Sequence, residues 1–339
     1  MALLEVENLR TQFRTDDGIV QAVDGVSFAI ERGKTLGIVG ESGSGKSVTC
    51  LTVMGLNDPR NTTSEGSAVF DGIELIGASK DRLNKLRGVR MAMIFQDPMT
   101  SLNPVKTIGW QLEEAVLAHR DATRKEARAN AVEALRDVAI PRAEQRLGDY
   151  PHQFSGGMRQ RVMIAMALIN DPDLIIADEP TTALDVTTQA QILALMNRLQ
   201  EEHGMAIIMI THDLGVVAEV AEDVIVMYGG QVVEQAPVDE LFYRPRHPYT
   251  WGLLGSLPRL NAEVERLVQI PGQPPSLLRP PKGCRFHPRC TYAMDICRNE
   301  LPPLEAASGP AHLQRCWLDD ETKKREAARI VGAVHEVAS

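Results

Sequence analysis

The sequence predicts an α/β fold built around parallel strands, with smaller structures attached, and three observations carry that expectation. Residues 35–39 (TLGIV) form a β-rich run that leads into a glycine-dense loop and then a helical pattern over 48–56. The apolar runs Leu174–Ala177, Ala206–Ile210 and Val224–Tyr228 are strand-length, the form taken by strands buried on both faces. After residue 258 the composition turns proline-rich and four cysteines follow, which marks a separate C-terminal piece.

The 339 residues suffice for one large core and a smaller appended unit, at roughly 100–200 residues per domain. Composition is 44% hydrophobic and 24% charged, as in ordinary globular chains. Aromatics make up only 4%, so the core must be mostly Leu, Ile, Val, Ala and Met. The net charge of −9 argues against a nucleic-acid partner, since phosphate backbones reward clustered Lys and Arg. No apolar run approaches the roughly 18 residues of a spanning helix. The start, MALLEVENLR, carries Glu5 and Glu7 and lacks the basic-then-apolar pattern of a secretory signal. The expectation is a protein that stays in the cytosol, where cysteines serve as thiols or metal ligands rather than disulfides.

The glycine loop reads Gly40-Glu41-Ser42-Gly43-Ser44-Gly45-Lys46-Ser47. It is a G-x-x-x-x-G-K-[ST] pattern in the context it requires, after a strand and at the start of a helix. Its glycines let successive N–H groups turn inward, and the helix N-terminus adds partial positive charge. Lys46 can reach the β- and γ-phosphates of ATP, and the Ser47 hydroxyl can ligate Mg²⁺. Downstream, the Leu174–Ala177 run ends in Asp178-Glu179-Pro180. A carboxylate at the tip of a parallel strand beside such a loop can hold the Mg²⁺ hydration shell, which assigns Asp178. Glu179 is placed to polarise the attacking water as general base.

Those two elements leave kinases, GTPases and helicases open. The deciding feature is Phe154-Ser155-Gly156-Gly157-Met158-Arg159-Gln160-Arg161, shortly before the Asp178 strand. It resembles the signature motif of ABC ATPases. Ser155, Gly156 and Gly157 at a helix N-terminus can cap a γ-phosphate by the same dipole and N–H logic as the loop. In that family the phosphate belongs to the partner subunit's nucleotide, so the resemblance implies hydrolysis by a dimer. It further implies that Gln96 is the Q-loop residue, touching Mg²⁺ and coupling to membrane subunits. Thr182-Ala183-Leu184-Asp185 is similar to the D-loop, with Asp185 facing the opposite protomer. His212 is similar to the switch histidine that senses the γ-phosphate. Phe13, 27 residues before Gly40, matches the aromatic on which adenine stacks. One departure stands out: the family has Gln after Ser-Gly-Gly, where this chain has Met158. An apolar side chain cannot reproduce the amide's hydrogen bonds, but the capping N–H groups remain.

The motifs run over roughly residues 1–235. The resemblance implies a RecA-like α/β core with an antiparallel β subdomain, a helical subdomain over about 97–170 and a small C-terminal cysteine-rich extension. The expected domains are a nucleotide-binding domain over 1–258 and an extension over 259–339. Phe95-Gln96-Asp97-Pro98-Met99-Thr100-Ser101-Leu102-Asn103-Pro104 and Arg246-His247-Pro248-Tyr249-Thr250 resemble the peptide-import branch, closest to its dipeptide-type ATP-binding subunits. Nickel or glycopeptide-like solutes are the alternative cargo. That resemblance implies a second ATPase subunit as heterodimer partner, two transmembrane permease subunits and, indirectly, an external solute-binding protein. It places the chain at the cytoplasmic face of the bacterial inner membrane.

In the extension, Cys284, Cys290, Cys297 and Cys316 are separated by 5, 6 and 18 residues. Zinc usually shows close C-x₂₋₄-C pairs, absent here. Wider loops suit the four corners of a [4Fe–4S] cluster, and the family resemblance implies the same cluster. A single zinc ion, or thiols without a ligand or joined as a disulfide, remain alternatives. His287 and His312 read as surface histidines, and Cys50 reads as a small core residue.

Overall fold

The computed structural model describes residues 2–182, 184–256, 270–307 and 309–335. They fall into two compact units. Among the described residues no helix is long and apolar enough to cross a membrane.

The first unit holds residues 78–210 with the short segment 30–35 and the first residues of the chain. Its strands Met91–Ile94, Leu174–Asp178 and Ala206–Thr211 are parallel, with Leu174–Asp178 in the middle. Every residue of that middle strand is buried, as expected where a sheet is covered on both faces. The strand extends one residue past the apolar run because Asp178 pairs with Ile210, so a carboxylate closes an otherwise apolar strand. Between the first two strands lie the helices Pro98–Ser101, Ile108–Leu117, Arg124–Asp137, Ala143–Arg146 and Gly156–Leu168. Arg124–Asp137 starts at a reciprocal capping box: Thr123 Oγ1 accepts from Glu126 N at 3.3 Å, and Glu126 Oε2 accepts from Thr123 N at 2.7 Å. Ala127, Ala131, Ala134 and Leu135 form its buried stripe, the spacing of one helix face.

The second unit holds residues 4–29, 36–77 and the described part of 211–339. A four-stranded sheet runs in the order Gly18–Glu31, Ala2–Thr15, Thr62–Phe70, Ile73–Glu74, and the pairings of Thr62–Phe70 with its two neighbours are antiparallel. Separately, Thr35–Val39 pairs in parallel with Asp223–Tyr228. Gln231–Pro237 continues antiparallel, and the short strands Leu313–Gln314 and Glu305–Ala306 follow it.

The cysteine-bearing segment therefore joins the sheet edge, with Gln314 opposite Glu234. Its Phe286 enters a core with Val39, Val226, Tyr228, Leu241 and Tyr249. The aromatic rings interlock: Tyr228 lies 4.6 Å from Tyr249 and 5.1 Å, edge-on, from Phe286. Offset and edge-to-face pairs of this kind add about 0.5–1.5 kcal/mol each beyond the area they bury. Tertiary packing thus gives the proline-rich extension a share of the main core.

Candidate functional site

In the second unit the strand Thr35–Val39 delivers the glycine loop to the helix Lys46–Val53. That helix starts earlier than the apolar pattern at 48 because Gly45, at φ 102°, serves as its N-cap. A side chain there would also come within 2.5 Å of the Ala22 carbonyl oxygen, so both backbone shape and space demand glycine. Gly43, at φ 78°, has open space where a side chain would stand. Lys46 is only 4% exposed, and its Nζ donates to the carbonyls of Gly40 at 2.6 Å and Glu41 at 3.0 Å. Among the described residues the buried Ser44 Oγ has no hydrogen-bond partner. Ser42 is exposed and Ser47 half-buried on the helix's first turn. A helix N-terminus, a preset ammonium and an open cradle fit the phosphates of ATP, and the Ser47 hydroxyl fits a hard cation such as Mg²⁺.

Two other expected residues lie in this unit. Phe13 is half-buried on the Ala2–Thr15 strand opposite Thr62. His212 is exposed directly after Ala206–Thr211. The turn presenting it is fixed on its far side: Asp213 N donates to Thr211 Oγ1 at 3.0 Å, and Asp213 Oδ1 accepts from Gly215 N at 2.8 Å.

The first unit holds the carboxylates. Asp178, 8% exposed, ends the central strand. Glu179 follows in left-handed backbone, φ 47°, a conformation that costs a non-glycine residue about 1–3 kcal/mol and recurs at functional sites. Its N–H donates to Ile210 O at 2.9 Å. Its Oε2 accepts from Gln96 Nε2 at 3.0 Å and from Thr182 Oγ1 at 2.9 Å. Gln96 and Glu179, 83 residues apart in the chain, are thus brought into direct contact.

In the same unit Ser155 caps the helix Gly156–Leu168, its Oγ accepting from Met158 N at 3.3 Å. Met158 contributes to the cap through its backbone, which explains how an apolar side chain stands there without disturbing it. Gly157 sits close against a neighbour: a Cβ there would meet Thr188 Cγ2 at 2.7 Å, so one of the two would have to shift. Thr188 in turn donates from N at 2.9 Å and from Oγ1 at 2.7 Å to Asp185, the cap of Val186–His203. Those bonds hold the exposed Asp185 carboxyl below the usual carboxylate range. Ser155 and Gly156 face solvent. Ala183 lies outside the described residues.

The four tail cysteines are reduced; Cys297 is buried and the other three half-buried. Burial raises the pKa of Cys284, takes that of Cys290 up to about 12 and that of Cys316 to about 11. The charge of each of the other three cysteines raises Cys290 further, so the four sulfurs share one neighbourhood. Opposing this, backbone hydrogen bonding by Phe286 and His287 lowers Cys284, and that by Tyr292 and Leu318 lowers Cys290 and Cys316. Among the described residues, no three His, Cys, Asp or Glu side chains are gathered so as to hold a metal ion. The arrangement of the described thiols therefore does not support the metal centre expected from the sequence. Cys50 is fully buried, as the sequence suggested.

His312 departs from its expected surface position. It is 2% exposed, and its Nε2 lies 2.8 Å from Oε1 of the fully buried Glu234. The same carboxylate accepts from Arg246 N at 2.6 Å and His247 N at 3.0 Å. Sequence reasoning also missed Tyr249, whose hydroxyl accepts from Glu41 N at 2.8 Å. The signal was present in Arg246-His247-Pro248-Tyr249-Thr250, which reads as a branch marker and is in fact a brace for the phosphate loop.

Comparison with known proteins agrees with these motifs. A family described as "ABC transporter" matches residues 23–182, and one described as "Oligopeptide/dipeptide transporter, C-terminal region" matches 233–297. The chain is 52% identical to the oligopeptide transport ATP-binding protein OppD of Haemophilus influenzae, covering 94% of this chain and 98% of that protein. It is 54% identical to OppD of Escherichia coli, covering 93% of each. With the dipeptide transport ATP-binding protein DppD of Lactococcus lactis it shares 52% identity over 94% of this chain and 91% of that one. Among solved structures it is similar to the dimeric ATP-binding cassette MJ0796 bound to ADP and phosphate after hydrolysis. That match has 32% identity and a TM-score of 0.62, covering 69% of this chain and 98% of the other.

Proposed function

This chain belongs to the ABC transporter family, among the ATP-binding proteins of oligopeptide and dipeptide transport, and from that premise we propose that it hydrolyses ATP to power peptide import. The observation that carries the catalytic reading is the Gln96–Glu179 hydrogen bond at 3.0 Å, at the end of the strand bearing Asp178.

In this reading Gly40, Ser42, Gly43, Ser44, Gly45 and Lys46 bind the phosphates, and Phe13 stacks on adenine. Ser47, Gln96 and Asp178 hold Mg²⁺, which neutralises phosphate charge when bound. Glu179 accepts the proton of the attacking water while Gln96 and Thr182 hold its carboxylate in place. His212 senses the γ-phosphate. Ser155, Gly156 and Gly157, with the N-terminal dipole of their helix, cap the γ-phosphate of a nucleotide held by a partner ATPase, and Asp185 contacts that partner. The pairing is a heterodimer. It works on two transmembrane permease subunits at the cytoplasmic face of the inner membrane, with a solute-binding protein outside. Residues 1–258 form the nucleotide-binding domain, and 259–339 the extension.

We further propose that Cys284, Cys290, Cys297 and Cys316 hold a [4Fe–4S] cluster. Supporting this are the mutual charge effects that raise Cys284, Cys290 and Cys316 and the backbone hydrogen bonding at their sulfurs, the contacts that stabilise thiolate ligands. Protein purified without oxygen should carry about four irons and four acid-labile sulfides per chain; one zinc ion with little iron would overturn the cluster. For the ATPase, Glu179→Gln in the assembled transporter should keep ATP binding and stall hydrolysis. Normal turnover by that variant would remove Glu179 from the role of base.

A further inference from the structure

Arg289, one residue before Cys290, has all five guanidinium N–H groups engaged, the full capacity of an arginine. Nη1 donates to Glu41 Oε2 at 2.5 Å and Nη2 to Glu41 Oε1 at 3.0 Å. Nε donates to Pro271 O at 2.8 Å, Nη2 also to Ile270 O at 3.1 Å, and Nη1 also to the Tyr228 hydroxyl at 3.3 Å. The arginine side chain is 5% exposed. Its partner Glu41, 248 residues away in the chain, is the second residue of the phosphate loop.

Each polar group of Glu41 is held. Its N–H goes to Tyr249, and its carbonyl accepts from Lys46 Nζ at 3.0 Å and from Ser44 N at 3.2 Å. Its carboxylate goes to Arg289. A second tether reaches the loop's supports. Arg285, one residue after Cys284, donates to the Gly229 carbonyl and to Asp24 Oδ2 at 2.6 Å. The adjacent Gly230 N–H donates to Ser44 O at 2.9 Å. Two arginines beside cysteines of the extension thus reach the loop and its immediate supports.

We propose that Arg289 is a positioning residue for the ATPase reaction: its fork holds Glu41, and through it the loop, and cancels a carboxylate charge beside a polyphosphate site. The extension is then a brace acting within the same chain on nucleotide affinity. The inference rests on the reading of residues 40–47 as the ATP-phosphate site. Two physical effects combine. A bidentate, charge-assisted pair resists reorientation of the loop. An uncompensated carboxylate near three phosphates repels them, strongly where water is scarce.

The test is titration of the full-length chain with a fluorescent ATP analogue, together with steady-state ATPase kinetics of the assembled transporter. Arg289→Ala should weaken nucleotide binding on the order of tenfold. KM for MgATP should rise in parallel, while kcat changes less than about twofold. Adding Glu41→Gln to Arg289→Ala removes the stranded charge, and the double variant should recover most of the lost affinity. Arg289→Lys, which keeps the charge and loses the fork, should fall between wild type and Arg289→Ala, and it serves where the alanine variant fails to fold. Unchanged affinity in the arginine variants would overturn the proposal. So would a double variant no better than Arg289→Ala, which would leave Arg289 a scaffold residue. Absence of nucleotide binding by the wild-type chain would instead overturn the reading of residues 40–47 and the inference with it.

Discussion

His247 should make this protein acid-labile by an amount that can be worked out. The side chain is 1% exposed, and its Nδ1 accepts from Tyr249 N at 3.1 Å, which requires a neutral ring. Burial first, then the charges of Lys323 and Arg315, take its pKa down to about 3 from an ordinary 6.5. The folded state therefore takes up a proton only near pH 3, and the unfolded chain near pH 6.5. Between those values the unfolded state binds more protons, so stability falls as pH falls. From about pH 7 to pH 4 the loss integrates to about 3 kcal/mol for this one group, at about 1.4 kcal/mol per pKa unit. The assay is urea unfolding of the full chain at both pH values, for wild type and for His247→Asn. Asparagine keeps a hydrogen-bond acceptor for Tyr249 N and does not titrate. Wild type should lose about 3 kcal/mol more than the variant, because carboxylate contributions are common to both and cancel. Equal losses would refute the argument that His247 is held neutral.

Three further outcomes follow from the site and its supports. Lys46→Ala should abolish ATP binding measured by equilibrium titration, since the ammonium it removes is the loop's one preset cation for phosphate. Gly157→Ala should cut ATPase activity by more than about tenfold with the fold intact by circular dichroism, because its Cβ meets Thr188 Cγ2 at 2.7 Å and displaces the signature helix end. Adding Thr188→Ser, which deletes that methyl, should restore much of the rate. Thr123→Ala removes one half of the capping box on Arg124–Asp137 and should lower unfolding stability by about 1 kcal/mol without changing ATP affinity.

Local motifs were legible because their chemistry is written on one turn of chain. The loop 40–47, the Ser155 cap and Asp178-Glu179 each consist of neighbouring residues whose backbone shape follows from glycine, a helix N-terminus or a strand end. Strand runs were readable for a similar reason: a strand buried on both faces must be continuously apolar. What escaped was every relation between distant segments. Nothing in the sequence signals that Glu179 adopts a left-handed backbone, or that Gln96 reaches it across 83 residues. His312 looked like a surface histidine because its partner, Glu234, lies 78 residues earlier.

The sequence by itself determined which chemistry this chain carries: a phosphate loop, a strand-end carboxylate pair, a capped signature helix and four cysteines. Those depend on short-range spacing and residue type, which survive without knowledge of packing. Only the tertiary structure decided how the extension is used. A buried guanidinium must find acceptors wherever the fold offers them, and for Arg289 the fold offers Glu41 of the phosphate loop. The partner is chosen by where the Thr35–Val39 strand, the Tyr228–Tyr249–Phe286 cluster and the tail pack against one another, a decision no single stretch of sequence contains.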